Sequence, residues 1–176
     1  MARRPVSRKR DGTFVIRLDD ETAALLSSLA DQLDPLLDDP SADAGLRRLF
    51  PPAHPDDLLA EAAWQIEQGA ALRESRRLAL AALRQPVGKP IAADELVRWM
   101  QGVNSLRLVL AERLGVAADG DAEEAMIDDA LERIESDDPD DVEAARRVLG
   151  AGQLYRLLAW MVDGAVWALG DPTRRR

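Results

Sequence analysis

Apolar side chains return every three or four residues at Leu25, Leu26, Leu29 and Leu33, the rhythm of an amphipathic helix that recurs along most of the chain. Asp19 or Asp20 supplies the cap of that first helix, and Pro35 kinks or ends it. The Pro- and Asp-rich run DDPSADAGLRRLFPPAHPDD, residues 38–57, reads as a loop with at most one short helix at 42–49. A second helical stretch covers about 56–85 and is interrupted or weakened at Gly69. A third covers about 94–114 and closes at Gly115, the residue type expected at a left-handed C-cap. Within it Trp99, Val103, Leu106, Leu110 and Leu114 share a stripe, with Arg107 at its edge. Residues 117–141 are acidic but carry the stripe Met126, Ile127, Ala130, Leu131 and Ile134, a peripheral solvated helix. After Asp140 a short helix leads through Gly150 and Gly152 into the last one, which Gly170 and Pro172 terminate.

Two stretches follow a different period. In GTFVIRL, residues 12–18, Phe14, Ile16 and Leu18 alternate with Thr13, Val15 and Arg17, as in a strand. Its candidate partner is VGKPIAAD, residues 87–94, where Pro90 confines the strand to an edge. The prediction is a mainly α fold, one helical domain of about five to seven helices with a minor two-stranded β-ribbon. That domain spans 12–170, between a basic tail at 1–11 and a basic tail at 171–176.

Composition narrows the function classes. The chain has 176 residues, 47% hydrophobic but only 4% aromatic, so Leu, Ala and Val must form the core. No cysteine is present, which removes disulfides, thiolate nucleophiles, thiolate zinc sites and thiol switches. No apolar run spans a bilayer and no signal-peptide core is visible, so the expected compartment is the cytoplasm. Eight of the 23 Lys and Arg lie in the tails, leaving 15 against 32 acidic residues and a body near −17. Such a body argues against a DNA-reading surface, and leaves nucleic acid at most to the tails.

Catalytic patterns are missing. His54 is the single histidine and stands in a Pro-rich loop. The Asp137–Asp141 cluster lacks the calcium-loop spacing with its closing glutamate, and neither a P-loop, a dinucleotide fingerprint nor a nucleophile elbow occurs. The expectation is a non-enzyme with no cofactor and no metal.

Two constellations remain. Arg107, with Asn104 a turn before it and Arg76 on the preceding helix, lies on a core-facing sector and needs an anionic partner. Asp163, Asp19 or Glu74 could supply it from inside the fold, and the alternative is a notch for a phosphate or for an acidic side chain of a partner. The internal reading is preferred, with Arg107 tied to a carboxylate of a neighbouring helix. On the last helix Leu154, Leu158, Met161, Ala165 and Leu169 form the core face, while Arg156, Trp160, Asp163 and Trp167 line the opposite side. This second face is either a protein interface or a second buried face, and the sequence leaves both open.

The segment WMQGVNSLRLVLAERLGV, with Trp99, Asn104, Leu106, Arg107, Leu108, Leu110, Arg113, Leu114 and Gly115, followed by YRLLAWM with Tyr155, Leu158 and Trp160, resembles the actinobacterial AosR oxidative-stress regulator family, long catalogued as a domain of unknown function. The resemblance covers most of the chain and lapses over 117–150. It implies a small, mostly helical, non-enzymatic cytoplasmic protein. The family's genes often neighbour an adaptor for a regulated protease and a sulfur-carrier-dependent cysteine pathway. It further implies regulation through contact with transcription machinery such as a sigma factor. Thiol-based sensing does not carry over to a chain without cysteine. The expected function is regulation by protein–protein contact, with a homodimer left open. An adaptor linked to regulated proteolysis, or an enzyme with an unrecognised carboxylate and arginine site, are the alternatives.

Overall fold

A computed structural model of the chain describes residues 4–115 and 121–170, the side chains of 121–124 excepted. It is one helical domain carrying a small antiparallel sheet, as the periodicity predicts. The sheet has three strands, β1 (Val6–Arg8), β2 (Phe14–Ile16) and β3 (Pro90–Ile91), in the order β1-β2-β3. Val15 faces Ser7 on one side and Pro90 on the other, so β2 is central and the proline sits on an edge. The extra strand, β1, lies inside the segment read from sequence as a basic tail. A turn at Gly12, with φ of 88°, joins it to β2, and the Asp11 carboxylate accepts from the Thr13 amide at 3.0 Å.

Five α-helices follow among the described residues. In α1 (Asp20–Leu33), Asp19 is the cap and accepts from the Thr22 amide at 2.7 Å. Pro35, lacking an N–H, opens a 3-10 turn at Asp34–Asp38. The loop beyond holds only two further 3-10 turns, Pro40–Ala42 and Ala44–Leu46, in place of a short α-helix at 42–49. The long α2 (Leu58–Leu83) passes through Gly69 without a break. Glycine costs about 1 kcal/mol in a helix, which the surrounding Ala, Leu, Gln and Glu offset. The Gln65 and Arg73 side chains close over the vacant side of Gly69. Next, α3 (Ala93–Leu114) ends at Gly115 with φ of 66°, the left-handed cap expected there.

The last two helices are α4 (Asp121–Arg133) and α5 (Pro139–Gly170). Where the sequence suggested a short helix before Gly150 and Gly152, α5 is a single helix of 32 residues. Gly152 is no hinge, because it receives α4: a Cβ there would touch Ile127 Cδ1 at 3.7 Å. The acidic helix α4 is thus docked on α5, and Arg133 fastens its end to Asp141 at 2.7 Å.

Helix α3 runs through the middle, with α2 and α5 on its flanks, and contributes Leu96, Trp99, Val103, Leu106 and Val109 to the core. Leu26, Leu33, Leu80, Leu158 and Met161 converge on it from the neighbouring helices. Around this apolar centre, ion pairs lock the 3-10 turn after α1 to α2. Arg84 reaches Asp31 at 2.7 Å and Asp34 at 2.9 Å, and Arg77 pairs with Asp34 at 3.5 Å and with Asp38. The hydrogen bond to Asp31, then that to Asp34, raises the Arg84 pKa above the ordinary arginine value. Asp34 serves two guanidiniums, so Asp34→Ala is expected to cost about 1 kcal/mol in urea unfolding. The exposed pair Asp94–Arg98 is one helical turn apart, and Asp94→Ala leaves the urea midpoint nearly unmoved. Equal losses from the two variants would contradict this.

Candidate interaction face

The first constellation resolves into a local contact. Arg107 donates through Nε and Nη2 to Asn104 Oδ1 at 3.1 and 2.9 Å, one turn earlier on its own helix. The predicted tie to a carboxylate of a neighbouring helix is absent: among the described residues no carboxylate lies within ion-pair distance of Arg107. Asp19 is occupied in capping α1, and Glu74 and Asp163 are exposed. Half-burial along α3 lets the guanidinium keep part of its hydration, which a neutral amide partner then supplements. Arg107→Met is therefore expected to change the thermal midpoint by no more than about 2 °C, since one partly hydrated contact is exchanged for apolar packing. A drop of the size produced by a core cavity would contradict this.

Arg76 is elsewhere. Gly102 of α3 meets Ala79 of α2, and about 100° per residue turns Arg107 some 140° away from that contact. The two arginines consequently do not share one notch across the α2–α3 seam. The Arg76 Nε is buried without a hydrogen-bond partner, and burial pushes the guanidinium below the ordinary arginine value.

The second constellation is a surface. Arg156, Trp160, Asp163 and Trp167 are all exposed on one side of α5, while Leu158, Met161 and Ala165 are buried on the other. With Trp160 38% and Trp167 44% exposed, the face is not sandwiched within the domain. Val166, also exposed, extends the patch. The segment before β1 packs against this helix and holds the Trp167 ring. Pro5 is fully buried against Gly164, and the Arg4 guanidinium stacks on Trp167 with 3.8 Å from Cζ to the ring centroid. Sequence reasoning missed Arg4 and Pro5 by assigning them to a solvated tail. Gly164, a glycine inside the apolar run of the last helix, was the available signal for a close approach. Of the two predicted tails, residues 1–3 and 171–176 lie outside the described residues.

Elsewhere an open cleft of about 320 Å³ is lined by Asp31, Asp34, Asp38, Arg77 and Arg84, whose charges are engaged in the ion pairs described above. A groove of about 420 Å³ lies between α2, β3 and α3, lined by Ile16, Leu78, Val87, Ile91 and Trp99. Its two charged residues are engaged at the start of α3: Glu95 accepts from the Ala92 amide at 2.8 Å, and Arg98 pairs with Asp94 at 2.8 Å. A smaller cavity of about 90 Å³ between α1, α3 and α5 is lined mainly by leucines, with Gln32 and Arg113 as its polar residues. His54 sits exposed in its loop, its backbone amide donating to Glu61 at 2.8 Å. Among the described residues no group of three potential ligands converges as a metal site, and no helix is long and apolar enough to cross a membrane.

A family model described as "Domain of unknown function (DUF2017)" matches residues 3–169. No curated protein and no solved structure matches the chain.

Proposed function

Because the chain belongs to this DUF2017 family, whose function is unknown, its activity must be read from its own surface, and we propose that it is a regulatory module acting by protein–protein contact. One observation carries the reading: Trp160 and Trp167 stand exposed on one side of α5 together with Arg156 and Asp163, and the Arg4 guanidinium stacks on Trp167. Tryptophan and arginine dominate binding energies, the first because a large rigid area is buried at little entropic loss and the second because its planar fork makes several hydrogen bonds at once. The reading asks for no chemistry of its own: the groove beside β3 and the cavity between α1, α3 and α5 are mainly apolar, and the Asp and Arg side chains of the third cleft are paired with one another. The AosR-like motifs around Arg107 and Trp160 support a cytoplasmic partner in the transcription machinery, a sigma factor or RNA polymerase.

The test is capture by the immobilised full chain of purified RNA polymerase and of individual sigma factors. Wild type is expected to retain one of them. Trp160→Ala with Trp167→Ala is expected to weaken retention about 30-fold or more, with a thermal midpoint within about 3 °C of wild type. Retention unaffected by the double variant would remove the α5 face as the contact. Recovery of protease components from lysate, without polymerase, would favour the adaptor reading over the transcriptional one.

A further inference from the structure

The two exposed tryptophans of α5 have guanidiniums along one flank. At about 100° per residue, Gly164 stands about 40° around the helix from Trp160 and about 60° from Trp167, so the segment seated on Gly164 borders the ring pair. Arg4 lies over Trp167, and the Arg17 amide donates to the Pro5 carbonyl at 2.7 Å, which brings a second exposed arginine to the same border. Among the described residues no carboxylate pairs with Arg4 or Arg17. Residues 4–17 hold five basic side chains against the single carboxylate of Asp11, a local positive excess on a chain of net charge −9. The carboxylates close by in sequence are engaged at backbone amides or at a helix end. Asp11 accepts from Thr13, Asp19 caps α1, and Asp20 and Glu21 lie in its first turn, at the positive end of the helix dipole. Asp163 stands on the opposite flank of the rings, about 60° from Trp160.

Resting on the reading of α5 as a contact face, we propose that its occupant is an amphipathic helix of a partner protein with acidic residues along one edge. The apolar side of that helix covers Trp160 and Trp167, and its carboxylates meet Arg4 and Arg17. An arginine stacked on a ring is held flat with its edge donors outward, the geometry that a carboxylate takes in two parallel hydrogen bonds. The rings are two helical turns apart, about 10 Å along the axis, a spacing matched by the i, i+3 and i+7 anchors of an opposing helix. Asp163 favours a helix over a nucleic acid. A phosphate backbone lying along the tryptophans would pass that carboxylate, whereas a helix presents different side chains to the two flanks.

The probes are two fluorescein-labelled synthetic helices of about 20 residues, alike in a leucine stripe and differing in the glutamates or lysines along its edge, titrated with the full chain by fluorescence anisotropy. The glutamate helix is expected to bind with a Kd of about 10–100 μM and the lysine helix at least about tenfold more weakly. Trp160→Ala with Trp167→Ala is expected to lose both. Arg4→Glu with Arg17→Glu is expected to reverse the order of the two peptides, a gain that a misfolded variant does not produce. A wild type that prefers the lysine helix, or an order unchanged by the charge reversal, would overturn the acidic occupant and leave the tryptophan face in place. Failure of both peptides to bind at about 1 mM would overturn the acidic helix as well, and capture of polymerase or sigma factor through the same tryptophans decides separately whether the face stands. A polythymidine strand or a phosphatidylserine vesicle held more tightly than the glutamate helix would reassign the face to that surface. Self-association at about 100 μM that the charge reversal abolishes would put a second copy there instead. Either result overturns the proposal.

Discussion

Gly102→Leu is expected to lower the thermal midpoint by about 6–12 °C, the effect of about 3 kcal/mol on a domain of this size. The reason lies in the crossing of α2 and α3. A Cβ at residue 102 would stand 2.4 Å from the Ala79 carbonyl oxygen and 3.0 Å from its carbon, with Leu83 Cγ at 2.9 Å. The first two are backbone atoms of a packed helix, so the contact is relieved only by moving α2 away from α3. That separation opens the core around Leu80, Val103 and Leu106. Gly102→Ala isolates the steric cause. Helix propensity alone makes alanine more stable than glycine by about 1 kcal/mol, yet the close approach predicts a loss. Differential scanning calorimetry of both variants decides the matter, and a stabilised Gly102→Ala would show that the helices separate at little expense.

Gly164→Leu is expected to act differently, by releasing the start of the chain instead of loosening the whole domain. A Cβ at residue 164 would lie 2.5 Å from Pro5 Cγ and 2.8 Å from Pro5 Cδ. Here the obstructing group belongs to the short segment of β1, held through β2 and α5 alone, which can detach while the helices stay packed. The Pro5 carbonyl accepts from the Arg17 amide at 2.7 Å and β1 pairs with β2, so departure exposes that amide and the edge of β2. The loss is put at about 2 kcal/mol, from removing a buried strand and the stacking of Arg4 on Trp167. Amide hydrogen exchange is expected to quicken at residues 6–8 and at Arg17, with α3 still protected. Unchanged protection of β1 would mean that α5 shifts and the strand stays.

Which parts of this arrangement are legible in the sequence follows from the range of the interactions involved. The bounds of α3 come from its own residues, with Glu95 folding back on the Ala92 amide at one end and Gly115 turning left-handed at the other. Pro90 announces an edge strand because a missing N–H is a local property. By contrast β1 has only Pro5 and Val6 to set against its five basic neighbours, and both are buried by groups distant in sequence, Gly164 and Ile16 among them. The ties of Arg77 and Arg84 to Asp31, Asp34 and Asp38 are equally remote, and charge pattern alone does not distinguish these arginines from Arg73 or Arg76. Arg107 shows the converse error: its helical position is read correctly, but a guanidinium at the edge of a stripe has a choice of partners, and the nearest is a neutral amide on its own helix. For Trp160 and Trp167 the spacing identifies the face, and only the packing of α5 shows that solvent, not another helix, lies over it.

The seating of Pro5 on Gly164 joins positions about 160 residues apart, a closure whose entropy grows only slowly with loop length but which requires both ends to exist. The β1–β2 hairpin is local, whereas its seat on α5 forms only when the last helix packs, late in the assembly of the domain. Until that seat exists β1 is held by β2 alone, so the hairpin carries neither the contact of Pro5 with Gly164 nor the stacking of Arg4 on Trp167 while the helices first assemble.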